Sequence, residues 1–135
     1  MSENTLYSYL KKFGIGERVK LGLPAEPAGI LNPVEKWSQS TFPTVSFGQS
    51  YSVTAIQATS VFATIANSGL RVTPTLVAGT SDSSGHYTAA PRPESRRVIS
   101  EDVAKQLSVM MESVVQEGGT AVRAGIPGYR VAGKT

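Results

Sequence analysis

Residues 54–67 read TAIQATSVFATIAN, a stretch that contains no charged side chain. The pattern predicts a helix that is capped by Thr54 and terminated by Gly69. Its apolar side chains fall around the whole circumference of the predicted helix: Ala55, Ile56, Ala58, Val61, Phe62, Ala63, Ile65 and Ala66. Since a helix that is apolar on every side is normally buried on every side, we expect this segment to be a core element.

The uncharged region around this helix extends from Trp37 to Leu70. It is not a lipid-facing segment, because Ser, Thr, Gln, Asn and Pro interrupt it throughout. A chain of 135 residues with few other long elements would not easily wrap such a helix. We therefore expect these residues to be part of a larger domain.

A second long helix is predicted to begin at Ser100, with Glu101 and Asp102 at its positive end. One apolar stripe runs along it: Val103, Leu107, Met110, Met111, Val114 and Val115. Polar side chains lie opposite: Lys105, Gln106, Glu112 and Gln116. We expect an amphipathic helix with one face packed inward and an end at Gly118-Gly119.

The other segments give shorter predictions. Residues 5–13 have apolar side chains at helical spacing, whereas residues 18–33 are rich in Gly and Pro and predict an ordered loop. Residues 71–79 predict a ragged edge strand or hairpin, followed by a turn at residues 81–85. The alternation of large and small residues in 128–135 predicts a strand at the end of the chain.

Composition excludes several classes of function. The chain has the length of a single domain, with 40% hydrophobic and 17% charged residues and a formal net charge of +3 that forms no cluster, so a nucleic-acid partner is not indicated. The absence of Cys and the single His exclude a disulfide, a thiolate metal site and a cysteine nucleophile, and leave few ligands for zinc. No signal peptide is visible, although a targeting segment could lie outside these residues.

The octet at residues 128–135, GYRVAGKT, supports two incompatible interpretations. Its spacing matches the phosphate-binding loop GxxxxGK[ST], in which backbone amides and the lysine neutralise phosphates. That motif requires an apolar strand before its first glycine and a helix after its threonine, and neither is indicated here. Read as a strand that ends in Lys134-Thr135, the octet instead matches the first two residues of KTG, the third motif of serine transpeptidases and β-lactamases.

Most of the chain, from Leu6 to Thr135, resembles class B penicillin-binding proteins. The matching stretches are 13–24 (FGIGERVKLGLP), 35–38 (EKWS), 46–57 (SFGQSYSVTAIQ), 65–69 (IANSG), 110–115 (MMESVV), 118–121 (GGTA), 127–129 (PGY) and Lys134-Thr135. They occur in the order typical of the family. Two departures are modest: Ser50 stands where the family usually has Gly, and Ala55 where it often has Pro.

The resemblance implies a partial transpeptidase domain at residues 1–135, which lacks the SxxK and SxN motifs and the final Gly of KTG. Ser8 to Lys11 and Ser2 to Asn4 match SxxK and SxN only in the wrong order, so we interpret Ser8 and Lys11 as exposed scaffold residues. The implied fold is α+β, a partial serine β-lactamase/transpeptidase fold with a buried helix, an amphipathic helix and a C-terminal sheet strand. No metal or organic cofactor is implied.

The implied activity is acyl transfer by a serine outside this chain, which attacks the D-alanyl-D-alanine end of a peptidoglycan stem peptide. Lys134 is implied as a catalytic residue and Thr135 as the residue that binds the substrate carboxylate. The implied partners are stem peptides, β-lactam antibiotics, the rest of the transpeptidase domain and other cell-wall synthesis proteins. The implied location is the extracytoplasmic face of the cell membrane, with an anchor outside this chain. The alternatives are a nucleotide-binding module that uses residues 128–135 and a non-catalytic interaction domain on the same scaffold.

Overall fold

The computed structural model describes all residues from 1 to 135 and contains four α-helices and four short strands. In chain order they are α1 (Glu3–Lys12), α2 (Thr41–Ser46), α3 (Ala55–Ala66), β1 (Leu70–Val72), β2 (Gly79–Ser81), β3 (Tyr87–Ala89), β4 (Ser95–Arg97) and α4 (Glu101–Glu112). Single turns of 3-10 helix are found at Val34–Lys36, Ser113–Val115 and Val122–Ala124. No helix has the length and apolar character that a membrane span requires.

The predicted central helix is confirmed as α3, and a capping box fixes its start. The Thr54 hydroxyl accepts the backbone N–H of Gln57 at 3.1 Å, and the Gln57 side-chain oxygen accepts the Thr54 N–H at 2.8 Å. These reciprocal bonds satisfy two amides that would otherwise have no partner in the first turn.

The burial of α3 differs from the prediction. Its fully buried side chains are polar, namely Gln57, Ser60 and Thr64, whereas Ile56 and Phe62 keep 37% and 41% of their surface exposed. The expectation that α3 is buried on every side is therefore wrong for these 135 residues. This incomplete cover agrees with the expectation that a chain of 135 residues would not easily wrap the helix.

Helix α4 packs against α3 and is rotated relative to the prediction. The Ser100 side chain caps it as expected, by accepting the Val103 N–H at 3.3 Å. The buried position is Ala104, which the sequence analysis did not place in the stripe, whereas Val103 and Met110 are exposed. Leu107 and Met111 of the predicted stripe are half-buried, so the inward face agrees with the stripe only in part.

Two small antiparallel sheets lie between α3 and α4 in the sequence. Strand β1 pairs with β4, and β2 pairs with β3 as a hairpin around the predicted turn, whereas the sequence analysis did not predict β3 and β4. In that turn, the Asp82 carboxylate accepts hydrogen bonds from the Ser84 hydroxyl and from the backbone amides of Ser84 and His86. The bond from the Ser84 side chain is the main reason that the pKa of Asp82 is lowered.

Two arginines connect the first sheet to the end of α1. A terminal nitrogen of Arg96 donates to the carbonyl oxygens of Lys11 and Lys12 at 3.0 and 2.6 Å, and Arg71 Nε donates to that of Phe13 at 3.0 Å. Burial, followed by the nearby charge of Arg96, lowers the pKa of Arg71. These cations cap the negative end of α1 and fix the chain where it enters the following loop.

The predicted C-terminal strand does not form in this chain. Residues 130–135 have no regular secondary structure, and their one backbone hydrogen bond runs from the Gly133 N–H to the Met111 carbonyl at 3.1 Å. Alternation alone does not make a strand, because a strand requires a neighbouring strand to pair with. The α+β class is confirmed, with helices and small sheets in one chain.

Candidate active site

Lys134 lies at an apolar cavity of about 390 Å³ between the loop after α1, the segment before α3, one face of α3 and the end of α4. The walls include Ile15, Tyr51, Phe62 and Met111, and Lys134 is the one charged side chain among the lining residues. Lys134 is exposed and has no ion-pair partner. An ammonium group beside apolar walls interacts more strongly with an incoming anion than it would in open water.

Thr135 is held beside a glycine-rich turn. Its hydroxyl lies 2.8 Å from that of Thr120, just after Gly118-Gly119. A side chain at Gly119 would collide with the Ser113 and Val114 carbonyls, so the turn can fold under the end of α4 only with glycine there. The prediction that α4 ends at Gly118-Gly119 is wrong, because α4 ends at Glu112 and is followed by a 3-10 turn; the glycines instead form the turn that brings Thr120 to Thr135.

The C-terminal segment is attached to α4 at two further points. The bond from Gly133 to Met111 fixes the backbone immediately before Lys134. Farther back, Arg130 forms an ion pair with Glu112 at 2.6 Å. The structure thus places both predicted site residues, Lys134 and Thr135, near the end of α4, with Lys134 at the cavity and Thr135 at the glycine turn.

Sequence reasoning missed the role of Gln57, which lies behind the cavity wall and not in it. Its Nε2 donates to the carbonyl oxygens of Glu17 and Ala28 at 2.7 and 2.8 Å. The signal was present in the sequence, since Thr54 to Gln57 reads T-A-I-Q and fits the capping-box pattern. The pattern predicts the cap, but it does not predict the contacts with distant loops.

The backbone conformation at Ser50 bears on one of the two departures from the family pattern. It has a φ of +63°, in the left-handed region that favours glycine, and the family usually has glycine at this position. Its hydroxyl lies 2.7 Å from that of Thr44. This local hydrogen bond offsets part of the conformational cost of a serine there.

The two motif matches near the N-terminus have structural roles. The Ser2 side chain caps α1 by accepting the Thr5 N–H at 3.2 Å. Ser8 is exposed, and Lys11 forms an ion pair with Glu17 at 2.8 Å. These contacts support the interpretation of Ser8 and Lys11 as scaffold residues.

The geometry does not support the phosphate-binding loop. Residues 122–124 form a 3-10 helix and residues 127–129 form a turn and bend, where a buried strand would be required. Gly128, the first glycine of the motif, lies in that turn, and residues 130–135 have no regular secondary structure. No group of three or more His, Asp or Glu side chains is arranged to hold a metal ion.

Comparison with known proteins identifies the family. Residues 1–135 match the family model described as the penicillin binding protein transpeptidase domain. The chain therefore belongs to the penicillin-binding protein transpeptidase family. The resemblance that the sequence motifs indicated is confirmed over the whole chain.

Two relatives show how much of a whole protein is present. Penicillin-binding protein PbpB of Mycobacterium tuberculosis is 42% identical over 96% of this chain, which covers 20% of that relative. Peptidoglycan D,D-transpeptidase FtsI of Escherichia coli is 33% identical over 100% of the chain, which covers 21% of it. The chain thus spans a small part of the length of the curated relatives that it matches.

The fold agrees with solved structures of the same family. Penicillin binding protein 3 from Mycobacterium tuberculosis, complexed with ampicillin, matches with a TM-score of 0.92 and 41% identity, over 98% of this chain and 31% of that one. A peptidoglycan synthetase from Bifidobacterium adolescentis matches with a TM-score of 0.87 and 34% identity, over 100% of this chain and 26% of that one. The helices and small sheets described above are therefore part of a transpeptidase fold.

Proposed function

We propose that residues 1–135 belong to a longer peptidoglycan D,D-transpeptidase that forms a serine acyl-enzyme. The observation that carries this proposal is the match to the transpeptidase domain family over the whole chain. The nucleophilic serine and its lysine, together with the SxN motif, belong to other parts of that protein. Residues 1–135 contribute the scaffold helices α3 and α4 and the Lys-Thr pair of the third motif.

The proposed reaction has two acyl transfers. The serine oxygen attacks the carbonyl carbon between the two terminal D-alanines of a stem peptide, an ester forms and the last D-alanine leaves as an amine. An amine of a neighbouring stem peptide then attacks the ester, so that an amide forms and the serine hydroxyl is regenerated. The reaction requires no metal or organic cofactor in this scheme.

Lys134 supplies positive charge next to the nucleophile and joins the hydrogen-bond network of the SxN serine. Its position at an apolar cavity, without a carboxylate partner, supports this role, because its charge remains available to a ligand. A fixed charge in a site from which water is excluded stabilises the anionic character that develops in the transition state.

Thr135 binds the terminal carboxylate of the stem peptide through its hydroxyl. The short contact with Thr120 supports this role, since a hydroxyl has one donor and two acceptor positions and its neighbour can orient it. A hydrogen bond to a carboxylate is charge-assisted and positions the peptide for attack.

β-Lactams are the expected inhibitors, because their strained amide would acylate the same serine. Penicillin binding protein 3 from Mycobacterium tuberculosis has been solved in complex with ampicillin and with aztreonam, and this chain matches those structures with a TM-score of 0.92. The longer protein is further proposed to be membrane-anchored on the extracytoplasmic side and to act with other cell-wall synthesis proteins.

Labelling with a fluorescent penicillin tests the proposal. The longer protein should retain the label on a denaturing gel, and residues 1–135 expressed alone should not, because the nucleophile is absent. Peptide mapping of the labelled protein should place the adduct outside residues 1–135. A labelled band at the mass of the isolated chain would contradict this assignment. The Ser8→Ala variant would then test whether Ser8 carries the label. A longer protein that takes no label would favour the non-catalytic interaction domain.

A further inference from the structure

The Gln57 side chain is buried, with 1% of its surface exposed, and its amide is fully hydrogen-bonded. Besides its bonds to Glu17 and Ala28, its Nε2 lies 3.4 Å from the Gly14 carbonyl oxygen, and its Oε1 accepts the Thr54 N–H. We call these contacts the Gln57 network. One amide group thereby connects the start of α3 to two separate loops.

The first loop contributes to the wall of the Lys134 cavity, and the second is bonded to a segment that does so. Ile15 lies in the first loop and lines the cavity. The second loop leads to Ile30, which exchanges two backbone hydrogen bonds with Ser52, each 2.9 Å long. Tyr51 and Val53, on either side of Ser52, line the same cavity. The wall residues that precede α3 are thus fixed by contacts that converge on Gln57.

The packing around the Gln57 network leaves no space for adjustment. Gly29 has a φ of +71°, and a Cβ there would lie 2.5 Å from the Ser52 carbonyl oxygen and 2.9 Å from Gln57 Oε1. A tightly packed polar network has one arrangement, because a displaced member leaves buried polar groups without partners.

We propose that Gln57 is a positioning residue for acyl transfer, and that its network sets the distance between the apolar cavity wall and Lys134. This inference rests on the proposed function. Gln57 does not line the cavity itself, so it acts through Ile15, Tyr51 and Val53. Loss of its amide would allow two loops and α3 to shift independently of the segment that carries Lys134.

The test compares Gln57→Met and Gln57→Glu with the parental longer protein. Acylation by a fluorescent penicillin is resolved into a binding constant and an acylation rate constant, at a temperature where circular dichroism shows each variant folded. Gln57→Met keeps the shape but removes both donors. We expect its acylation rate constant to fall about 10- to 100-fold, as for a small misplacement of reacting groups, with a smaller change in binding.

Gln57→Glu adds a readout that destabilisation alone would not give. A carboxylate among carbonyl oxygens cannot donate, whereas a protonated carboxyl can donate to one of them. Burial raises the pKa of such a group, and the guanidinium of Arg71, which packs against Gly14, acts in the opposite direction. The acylation rate constant of Gln57→Glu, relative to the parent at each pH, should therefore rise as the pH is lowered through that pKa.

Two control variants separate positioning from stability. Val98→Ala removes buried volume at a site that does not line the cavity, and Gln106→Glu introduces a carboxylate on the exposed side of α4. Both should acylate at the parental rate. If Gln57→Met acylates as fast as the parent, although it melts as low as Val98→Ala, Gln57 is structural only and the inference is overturned. A parent that takes no penicillin would instead overturn the proposed function, and the positioning role with it.

Discussion

The two ends of the Lys134 cavity are held in very different ways. On the side of α3, one buried amide makes bonds to three chain segments, and a glycine allows the backbone to approach it closely. On the other side, the last residues are held by one backbone bond to Met111, an exposed ion pair at Arg130 and a contact between two exposed hydroxyls. The polar contacts of Gln57 on the α3 side are made within this chain, and we call this the rigid side. We call the side that carries Lys134 and Thr135 the loose side, because few contacts hold it.

This difference shows which contacts the chain supplies itself. Buried polar groups favour hydrogen-bond partners, and Gln57 finds its partners within this chain, whereas the buried Ser60 hydroxyl of the same helix has none here. The apolar faces of α3 and α4 have no such requirement and remain exposed at Phe62 and Met110. Substitutions on the loose side should therefore affect the reaction with little effect on stability, whereas substitutions on the rigid side should lower stability and, where they displace the Gln57 network, also slow the reaction.

The largest expected effect on the loose side comes from Lys134→Ala in the longer protein. It removes a charge from the cavity, and loss of one electrostatic contact in an active site costs about 100-fold in rate. Second-order acylation rates measure the effect, and Lys36→Ala, at an exposed lysine outside the cavity, is the matched control. An unchanged unfolding free energy of Lys134→Ala would support the difference between the two sides. An acylation rate within twofold of the parent would show that Lys134 is not part of the active site.

Thr135→Val should have a smaller effect on the same rate. It keeps the shape of the side chain and removes the hydroxyl that is proposed to bind the substrate carboxylate. A hydrogen bond to a charged group is worth about 1.5–3 kcal/mol, which corresponds to about one to two decades in rate if it forms in the transition state. Thr80→Val, at an exposed threonine of β2, is the matched control. Equal acylation of both variants would show that Thr135 does not bind the carboxylate.

Much of the fold could be predicted from sequence because its signals are local. Caps at Thr54 and Ser100 located the starts of α3 and α4, and turn residues located the β2–β3 hairpin. The family motifs then identified Lys134 and Thr135 as site candidates. These features depend on residues that are close together in the chain, so a single sequence is sufficient to find them.

The remaining features could not be predicted because they depend on contacts between distant residues. The bonds of Gln57 reach residues 14, 17 and 28, and periodicity carries no information about such pairs. The most deeply buried side chain of α4 is Ala104, a position that the predicted apolar stripe does not contain. A strand at residues 128–135 could not be judged without knowing its pairing partner.

On the rigid side, Gly29→Ala should destabilise the protein, and it should slow acylation only through displacement of the Gln57 network. The left-handed conformation costs an alanine about 1–2 kcal/mol, and the overlap with Ser52 and Gln57 adds a cost typical of overpacking, for a total of about 2–5 kcal/mol. Gly22→Ala is the matched control, since Gly22 has a φ of +81° and nothing lies within 4 Å of its added Cβ. Denaturant unfolding measures both. Equal losses of unfolding free energy in Gly29→Ala and Gly22→Ala would show that the packing around Gln57 is not tight.

The smallest expected effect is that of Arg130→Gln. The ion pair with Glu112 is short, at 2.6 Å, but the Arg130 side chain is 80% exposed, so water and salt screen it. Exposed pairs contribute about 0–1 kcal/mol, and we expect a change in unfolding free energy within that range that disappears at high salt. If the Arg130–Glu112 pair is also needed to hold Lys134 in place, Arg130→Gln would slow acylation as well as lower stability slightly. Glu112→Gln would then reproduce both effects. Parental acylation by both variants would show that Gly133 and the glycine turn suffice to position the segment, and that the loose side depends on its backbone contacts and not on its charges.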